Sequence, residues 1–121
     1  MRIRVVPALG LVLALFLAVA AFAHILVEKT EPADGSALTA TPRTLRVWFN
    51  RGPDVANSEL KLIGPEGELT LEGLHTMGEN DLMVRVVGRV PDGDYVAKWK
   101  SQGDDGHSRE GEWTFSLKRG G

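Results

Sequence analysis

The chain has 121 residues, with 16 acidic and 14 basic side chains and a formal net charge of −2. It has no basic stripe, which argues against nucleic acid and against an anionic membrane surface as partners. The absence of cysteine excludes disulfides and thiolate metal sites, so strand pairing and a hydrophobic core must hold any folded domain together.

The first 23 residues are predicted to be a cleavable secretory signal. Arg2 and Arg4 form a basic start, and the uncharged run Leu11–Phe22 is shorter than the roughly 20 residues of a membrane-spanning helix. The sequence Ala-Phe-Ala ending at Ala23 has the small residues of a cleavage site. Cleavage there removes 23 of the 121 residues and two positive charges, which leaves 98 residues (24–121) and shifts the net charge from −2 to −4. We therefore expect an exported, periplasmic domain that is soluble and monomeric, with an uncleaved N-terminal anchor as the alternative.

A two-residue period dominates residues 24–121 and predicts strands that each bury one face. Turn sequences rich in Pro, Gly and Asp separate them, such as "EPADGS", "GPEG" and "PDGD". No helical period and no repeat is present, so we predict one all-β domain, an Ig-like β-sandwich of about seven strands. Trp99 and Trp113 are predicted to face the core, whereas Trp48 has the opposite parity. The predicted strands are Ile25–Thr30, Leu45–Phe49, Leu60–Leu62, Glu68–Leu71, Leu82–Val86, Tyr95–Trp99 and Trp113–Leu117.

Two of the three histidines are candidate metal ligands. As a new N-terminus, His24 would offer its α-amine and its imidazole Nδ1 to one metal ion. His107 follows Asp105 by two residues, and in an extended segment such residues point to the same side, with Gly106 allowing a bend. Asp104, by the same alternation, points away from His107. Three nitrogens and one carboxylate oxygen in a tetragonal arrangement suit Cu(II).

Three other polar residues, His75, Glu28 and Glu110, each allow a functional and a non-functional interpretation. His75 lies close to Met77 and is either an accessory copper ligand or a surface histidine in a hairpin turn. Glu28 and Glu110 are either acceptors for ligand imidazole N–H groups or solvated surface charges.

The chain resembles the CopC/PcoC family of periplasmic copper-binding proteins over essentially all of residues 24–121. The segment "AHILVEKTEPADGSALTATPRTLRVWFN" is similar to the family's opening, and "DGDYVAKWKSQGDDGHSREGEWTFSL" to its closing pattern around D-G-H. The resemblance implies a cupredoxin-like Greek-key β-sandwich or barrel. It also implies a Cu(II) site formed by His24, Asp105 and His107, and an inner-membrane CopD-like copper transporter as partner.

The chain departs from the family pattern in two places. Only Met77 and Met83 remain after removal of the signal, which is few for the methionine-rich Cu(I) site of some members, so we expect a Cu(II) site only. The segment "FNRGPDV" stands where the family more often has a Phe-Ser-Glu-Pro-like sequence.

Three functions remain open at this level. We expect a non-enzymatic Cu(II) carrier or chaperone for copper resistance or homeostasis. A histidine-brace copper monooxygenase is an alternative, but Asp105 would fill a position that oxygen chemistry needs open. A metal-free interaction module for a membrane copper importer is the third.

Overall fold

The computed structural model describes residues 25–103 and 105–120. The predicted signal, His24 and Asp104 lie outside these residues. Within them, no helix is long and apolar enough to cross a membrane.

Eight strands form a single curled sheet, in the order β1-β3-β6-β5-β4-β7-β8-β2. All neighbouring strands are antiparallel except β2 and β8, which are parallel. The one helical element in the described residues is a 3₁₀ turn, Val55–Asn57. The expected all-β class is therefore confirmed, with one strand more than predicted. The strands are β1 Val27–Glu31, β2 Ser36–Leu38, β3 Thr44–Phe49, β4 Glu59–Gly64, β5 Gly67–His75, β6 Asp81–Val87, β7 Gly93–Gln102 and β8 Ser108–Leu117.

Strand β5 joins the two layers of the sandwich. Its first part pairs with β4 from Gly67 to Leu69, and its second part pairs with β6 from Thr70 to His75. Between Glu72 and His75 the register shifts, and Gly73 has a φ of 74°, a left-handed conformation that suits glycine at a bulge. The change of layers itself comes earlier, between Leu69 and Thr70, where the pairing partner of β5 switches from β4 to β6.

The core contains the inward-facing residues of both layers. Trp99 meets Phe49 edge-to-face at a centroid distance of 5.1 Å, and Tyr95 stacks on Phe115 at 5.3 Å. Trp99 and Trp113 are both buried, as their strand parity predicts. The Trp99–Phe49 contact therefore joins the two layers, and the Tyr95–Phe115 stack joins the neighbouring strands β7 and β8 within one layer.

Some boundaries differ from the predicted ones. Strand β1 begins at Val27 rather than Ile25, and β5 has nine residues rather than a short four-residue segment. The unpredicted strand is β2, whose three residues pair with the end of β8. Trp48 is half-buried on the outer face, with Lys29 Nζ at 4.5 Å and Arg46 Cζ at 4.3 Å from its ring centroid.

Candidate metal centre

The loop of residues 103–107 connects β7 to β8 and holds two of the predicted ligands. The Gly106 N–H donates to the Gly103 carbonyl at 3.1 Å, and the Gly103 N–H donates to the His107 carbonyl at 3.2 Å. The Gln102 side-chain amide donates to the Gly106 carbonyl at 2.6 Å. Gly106 has a φ of 80°, in the left-handed region that favours glycine. The loop is therefore a hydrogen-bonded turn rather than the extended segment expected from the sequence.

Asp105 and His107 are brought together by this turn. Oδ1 of Asp105 accepts the backbone N–H of His107 at 2.9 Å, and its Oδ2 lies 3.3 Å from His107 Nδ1. The Asp105 side chain is 19% exposed and that of His107 is 72% exposed. The predicted proximity of the two side chains is present, but it comes from an Asx-type turn and not from strand alternation.

The beginning of the described chain lies beside the same loop. Ile25 is only 1% exposed and belongs to the core. A Cβ placed on Gly103 would lie 3.7 Å from Ile25 Cβ and 3.4 Å from Asp105 Oδ1. The next residue is clamped by Asn50, whose Oδ1 accepts the Leu26 N–H at 2.7 Å and whose own N–H donates to the Leu26 carbonyl at 2.9 Å. Ile25 therefore lies beside Gly103, and Asn50 holds the following residue Leu26 in place.

The segment after β3 supports the base of the loop. The Asp54 N–H donates to the Gln102 carbonyl at 3.0 Å, and the hydroxyl groups of Ser58 and Ser101 are 2.8 Å apart. Ser101 is fully buried, and Ser58 also donates to the Asp54 carbonyl. Sequence reasoning left the role of "FNRGPDV" open. The available signal was the polar set Asp54, Asn57 and Ser58: the Asp54 carboxylate accepts the Asn57 side-chain amide at 2.8 Å, although it does not cap the backbone of the 3₁₀ turn.

The described residues of the site provide two candidate metal ligands. Asp105 supplies a carboxylate oxygen and His107 an imidazole, which are ligands suited to a borderline divalent ion. Among residues 25–103 and 105–120, no group of three His, Asp or Glu side chains is placed to hold a metal ion. A metal bound at this loop would therefore need further donors from outside the described residues or from solvent.

The remaining candidates lie elsewhere on the surface. His75 ends β5 in the other layer, where it is exposed and its Nδ1 lies 2.6 Å from the Gly73 carbonyl. It is directly opposite Met83 on β6, while Met77 is 58% exposed in the following turn. Glu28 and Glu110 are exposed on β1 and β8. His75 therefore lies at the end of a strand rather than in a hairpin turn, and its role as an accessory copper ligand with Met77 stays a prediction.

A β-sandwich that carries a carboxylate–imidazole pair on the loop before its last strand is a candidate metal-binding β-domain. The chain belongs to the CopC domain family, because that family's model matches residues 27–118. This match includes both Asp105 and His107.

Relatives and solved structures agree with this assignment. Protein YobA of Escherichia coli K12 is 29% identical over 100 residues, which cover 80% of this chain and 81% of that protein. CopC from Methylosinus trichosporium OB3b superposes with a TM-score of 0.72 at 23% identity, over 81% of this chain and 97% of that one. PcoC, a methionine-rich copper resistance protein from Escherichia coli, gives 0.72 at 22% identity, over 79% of this chain and 100% of PcoC.

Proposed function

We propose that the protein is an exported Cu(II)-binding protein of copper resistance or homeostasis. Copper is its cargo, held by the α-amine and imidazole of His24 together with Asp105 and His107. Family membership and the fold shared with CopC and PcoC support the copper assignment.

The observation that carries the proposal is the position of Ile25. His24 is bonded to Ile25, and consecutive Cα atoms are about 3.8 Å apart. Ile25 is buried, and a Cβ on Gly103 would contact both Ile25 Cβ and Asp105 Oδ1, so we infer that the residue bonded to Ile25 can reach the Asp105 carboxylate. Asn50 limits how far this segment can move. Cleavage after Ala23 would then create a free amine at the Asp105–His107 pair.

The combined donors favour Cu(II) over other first-row divalent ions. An amine nitrogen, two imidazole nitrogens and a carboxylate oxygen suit a tetragonal site, and Cu(II) stands highest in the affinity order for such ligands. Asp105 Oδ1 holds the His107 backbone, so Oδ2 is the oxygen best placed to meet a metal ion.

A carrier role fits this arrangement better than an enzymatic one. Asp105 stands next to His107 and would occupy a coordination position that oxygen chemistry requires to be open. The exposed imidazole of His107 lies at the surface, where a partner can approach it. We place the protein in the periplasm as a monomer, with an inner-membrane CopD-like transporter as its copper partner.

Mass spectrometry of the exported protein, followed by EPR during Cu(II) titration, tests the proposal. We expect an N-terminus at His24 and a one-equivalent tetragonal Cu(II) spectrum with hyperfine coupling to nitrogen. An N-terminus at another residue, or a spectrum with oxygen donors only, contradicts it.

A further inference from the structure

An open cleft of about 510 Å³ separates β1 from β8 at the edge of the sandwich. One wall is Val27–Thr30 of β1, and the other contains Glu112 and Trp113 of β8 with Trp99 behind them. In the sequence, both walls of the cleft adjoin the candidate metal centre: β1 follows Ile25, and β8 follows the 103–107 loop. Neither Asp105 nor His107 lines it.

Both walls of the cleft are strand edges with unused pairing capacity. In the described residues, β1 pairs with β3 alone, and β2 covers β8 only from Phe115 to Leu117. Thr114, just before that stretch, uses its outward backbone groups: its N–H donates to Asp34 Oδ1 and its carbonyl accepts the Gly35 N–H. Because backbone direction alternates along a strand, the N–H and carbonyl groups of Glu112 and Glu110 also point to this outer edge. An added strand could pair with them.

The side chains around the cleft select a particular kind of segment. Val27, which lines the cleft, is 39% exposed, and the preceding residue Leu26 is 52% exposed, so two large apolar residues adjacent in the chain face solvent. An extended segment with apolar side chains would cover this exposed apolar surface.

The charge at the rim of the cleft is acidic. Glu28, Asp34 and Glu112 line it against one cation, Lys29, whose ammonium group lies over the Trp48 ring on the outer face. Lys98 is opposite Glu112 in the ladder but borders the neighbouring groove on the outer face of β4, β7 and β8. A basic segment therefore has the better electrostatic match.

We propose that this cleft is a docking site for an extended segment of a partner protein that alternates apolar and basic residues. The segment adds as a strand to the edge of β8 at Glu110 and Glu112, with its apolar side chains toward Val27 and Trp113. Its cations face Glu28 and Glu112. This docking does not depend on copper binding.

Two capped eight-residue peptides, one alternating Val with Lys and one alternating Val with Glu, test the proposal by NMR titration of the whole ¹⁵N-labelled protein. We expect the Val/Lys peptide to shift the amides of β1 and of residues 108–113, and to slow hydrogen exchange at Glu110 and Glu112. The Val/Glu peptide is expected to bind at least threefold more weakly. Equal binding of both peptides, or shifts confined to other strands, would overturn the proposal.

Variants separate strand addition from general charge attraction. Glu112→Pro removes an outward N–H without removing a β7–β8 hydrogen bond, and we expect it to abolish protection of Glu110 by the Val/Lys peptide. Glu112→Arg, which keeps the edge intact, is expected to weaken binding about threefold, whereas Glu68→Arg on β5 is not. Unchanged binding by Glu112→Arg, or concentration-dependent shifts that point to a second copy as occupant, would contradict the proposed partner.

Discussion

Ile25 and Gly103 are neighbours although 78 positions separate them in the chain. Ile25 is buried in the core, and a side chain on Gly103 would lie between it and Asp105. The segment before β1 and the loop before β8 therefore meet at Gly103. This contact brings the residue next to His24 to the Asp105–His107 pair, and it can be tested by substitution.

Enlarging Gly103 is expected to weaken Cu(II) binding in proportion to side-chain size. An alanine Cβ meets Asp105 Oδ1 and Ile25 Cβ at ordinary contact distances of 3.4 Å and 3.7 Å, so Gly103→Ala should be tolerated. Leucine adds atoms that must displace Ile25 or Asp105, so Gly103→Leu should raise the Cu(II) dissociation constant about tenfold or more. Competition titration with a chelator of known affinity measures both values. Equal affinities for the two variants would mean that the contact does not position the site.

The two loop ligands are expected to contribute separately to copper affinity. Asp105→Asn keeps an acceptor for the His107 N–H but removes the negative donor, and His107→Ala removes an imidazole. Each should weaken Cu(II) binding by about tenfold to a hundredfold in the same titration. His75→Ala is the matched control, because His75 lies at the end of β5 in the other layer. A loss from His75→Ala as large as that from His107→Ala would contradict the assignment.

Trp99 packs against Gly111 of the neighbouring strand β8, and this packing requires that position 111 carry no side chain. A Cβ at Gly111 would lie 2.8 Å from Trp99 Nε1 and 2.9 Å from two carbons of the same ring. Gly111→Ala should therefore lower the free energy of unfolding by about 1–3 kcal/mol. Gly52→Ala is the control, since its Cβ would meet only Asn80 Oδ1 at 3.6 Å. Urea denaturation of both variants measures the difference, and equal stability would show that Trp99 can move aside at no cost.

We expect the Asp81 carboxylate to make the stability of the fold depend on pH in the acid range. It is fully buried. Burial raises the pKa of the Asp81 carboxylate. Hydrogen bonds to the carboxylate act in the opposite direction, and their combined effect lowers the pKa below its usual value. The donors are the N–H of Glu79, the Thr76 hydroxyl, the Arg46 guanidinium and the N–H of Met77. Its ionised form therefore stabilises the folded state above the unfolded-state pKa of about 3.9, and this contribution is lost as the pH falls through the lower folded-state pKa.

Replacing Asp81 tests this expectation. At pH 7, Asp81→Asn should lower the free energy of unfolding by about 3 kcal/mol, because it removes the buried charged partner of Arg46. The difference in unfolding free energy between the variant and the native chain should shrink below about pH 3.9. Glu68→Gln, an exposed carboxylate on β5, should have little effect at either pH. Thermal denaturation across this range provides the comparison. A deficit for Asp81→Asn that stays constant down to pH 2 would exclude the carboxylate as its source.

Local patterns predicted most of the sheet because its strands bury one face each. Alternation located β3, β4, β6, β7 and β8, and "GPEG" correctly marked the hairpin turn between β4 and β5. Parity placed Trp99 and Trp113 in the core. These features depend on residues within one strand or turn, which a single sequence displays directly.

Features that depend on distant contacts were missed. The three residues of β2 have no periodicity of their own and form a strand only because they pair with β8. The second half of β5 continues through a bulge at Gly73 that breaks the two-residue period. The Asp105–His107 pairing was expected for a different reason, since the turn depends on side-chain and backbone hydrogen bonds that a spacing pattern does not contain.

The most direct test of the central claim compares the protein that begins at His24 with the same protein acetylated at its α-amine. Acetylation removes the basic amine nitrogen and leaves all three side-chain ligands in place. In a chelator competition titration, we predict that Cu(II) affinity falls at least a hundredfold and that the EPR spectrum loses one nitrogen donor. Unchanged affinity and an unchanged spectrum would contradict a copper site completed by the amine of His24.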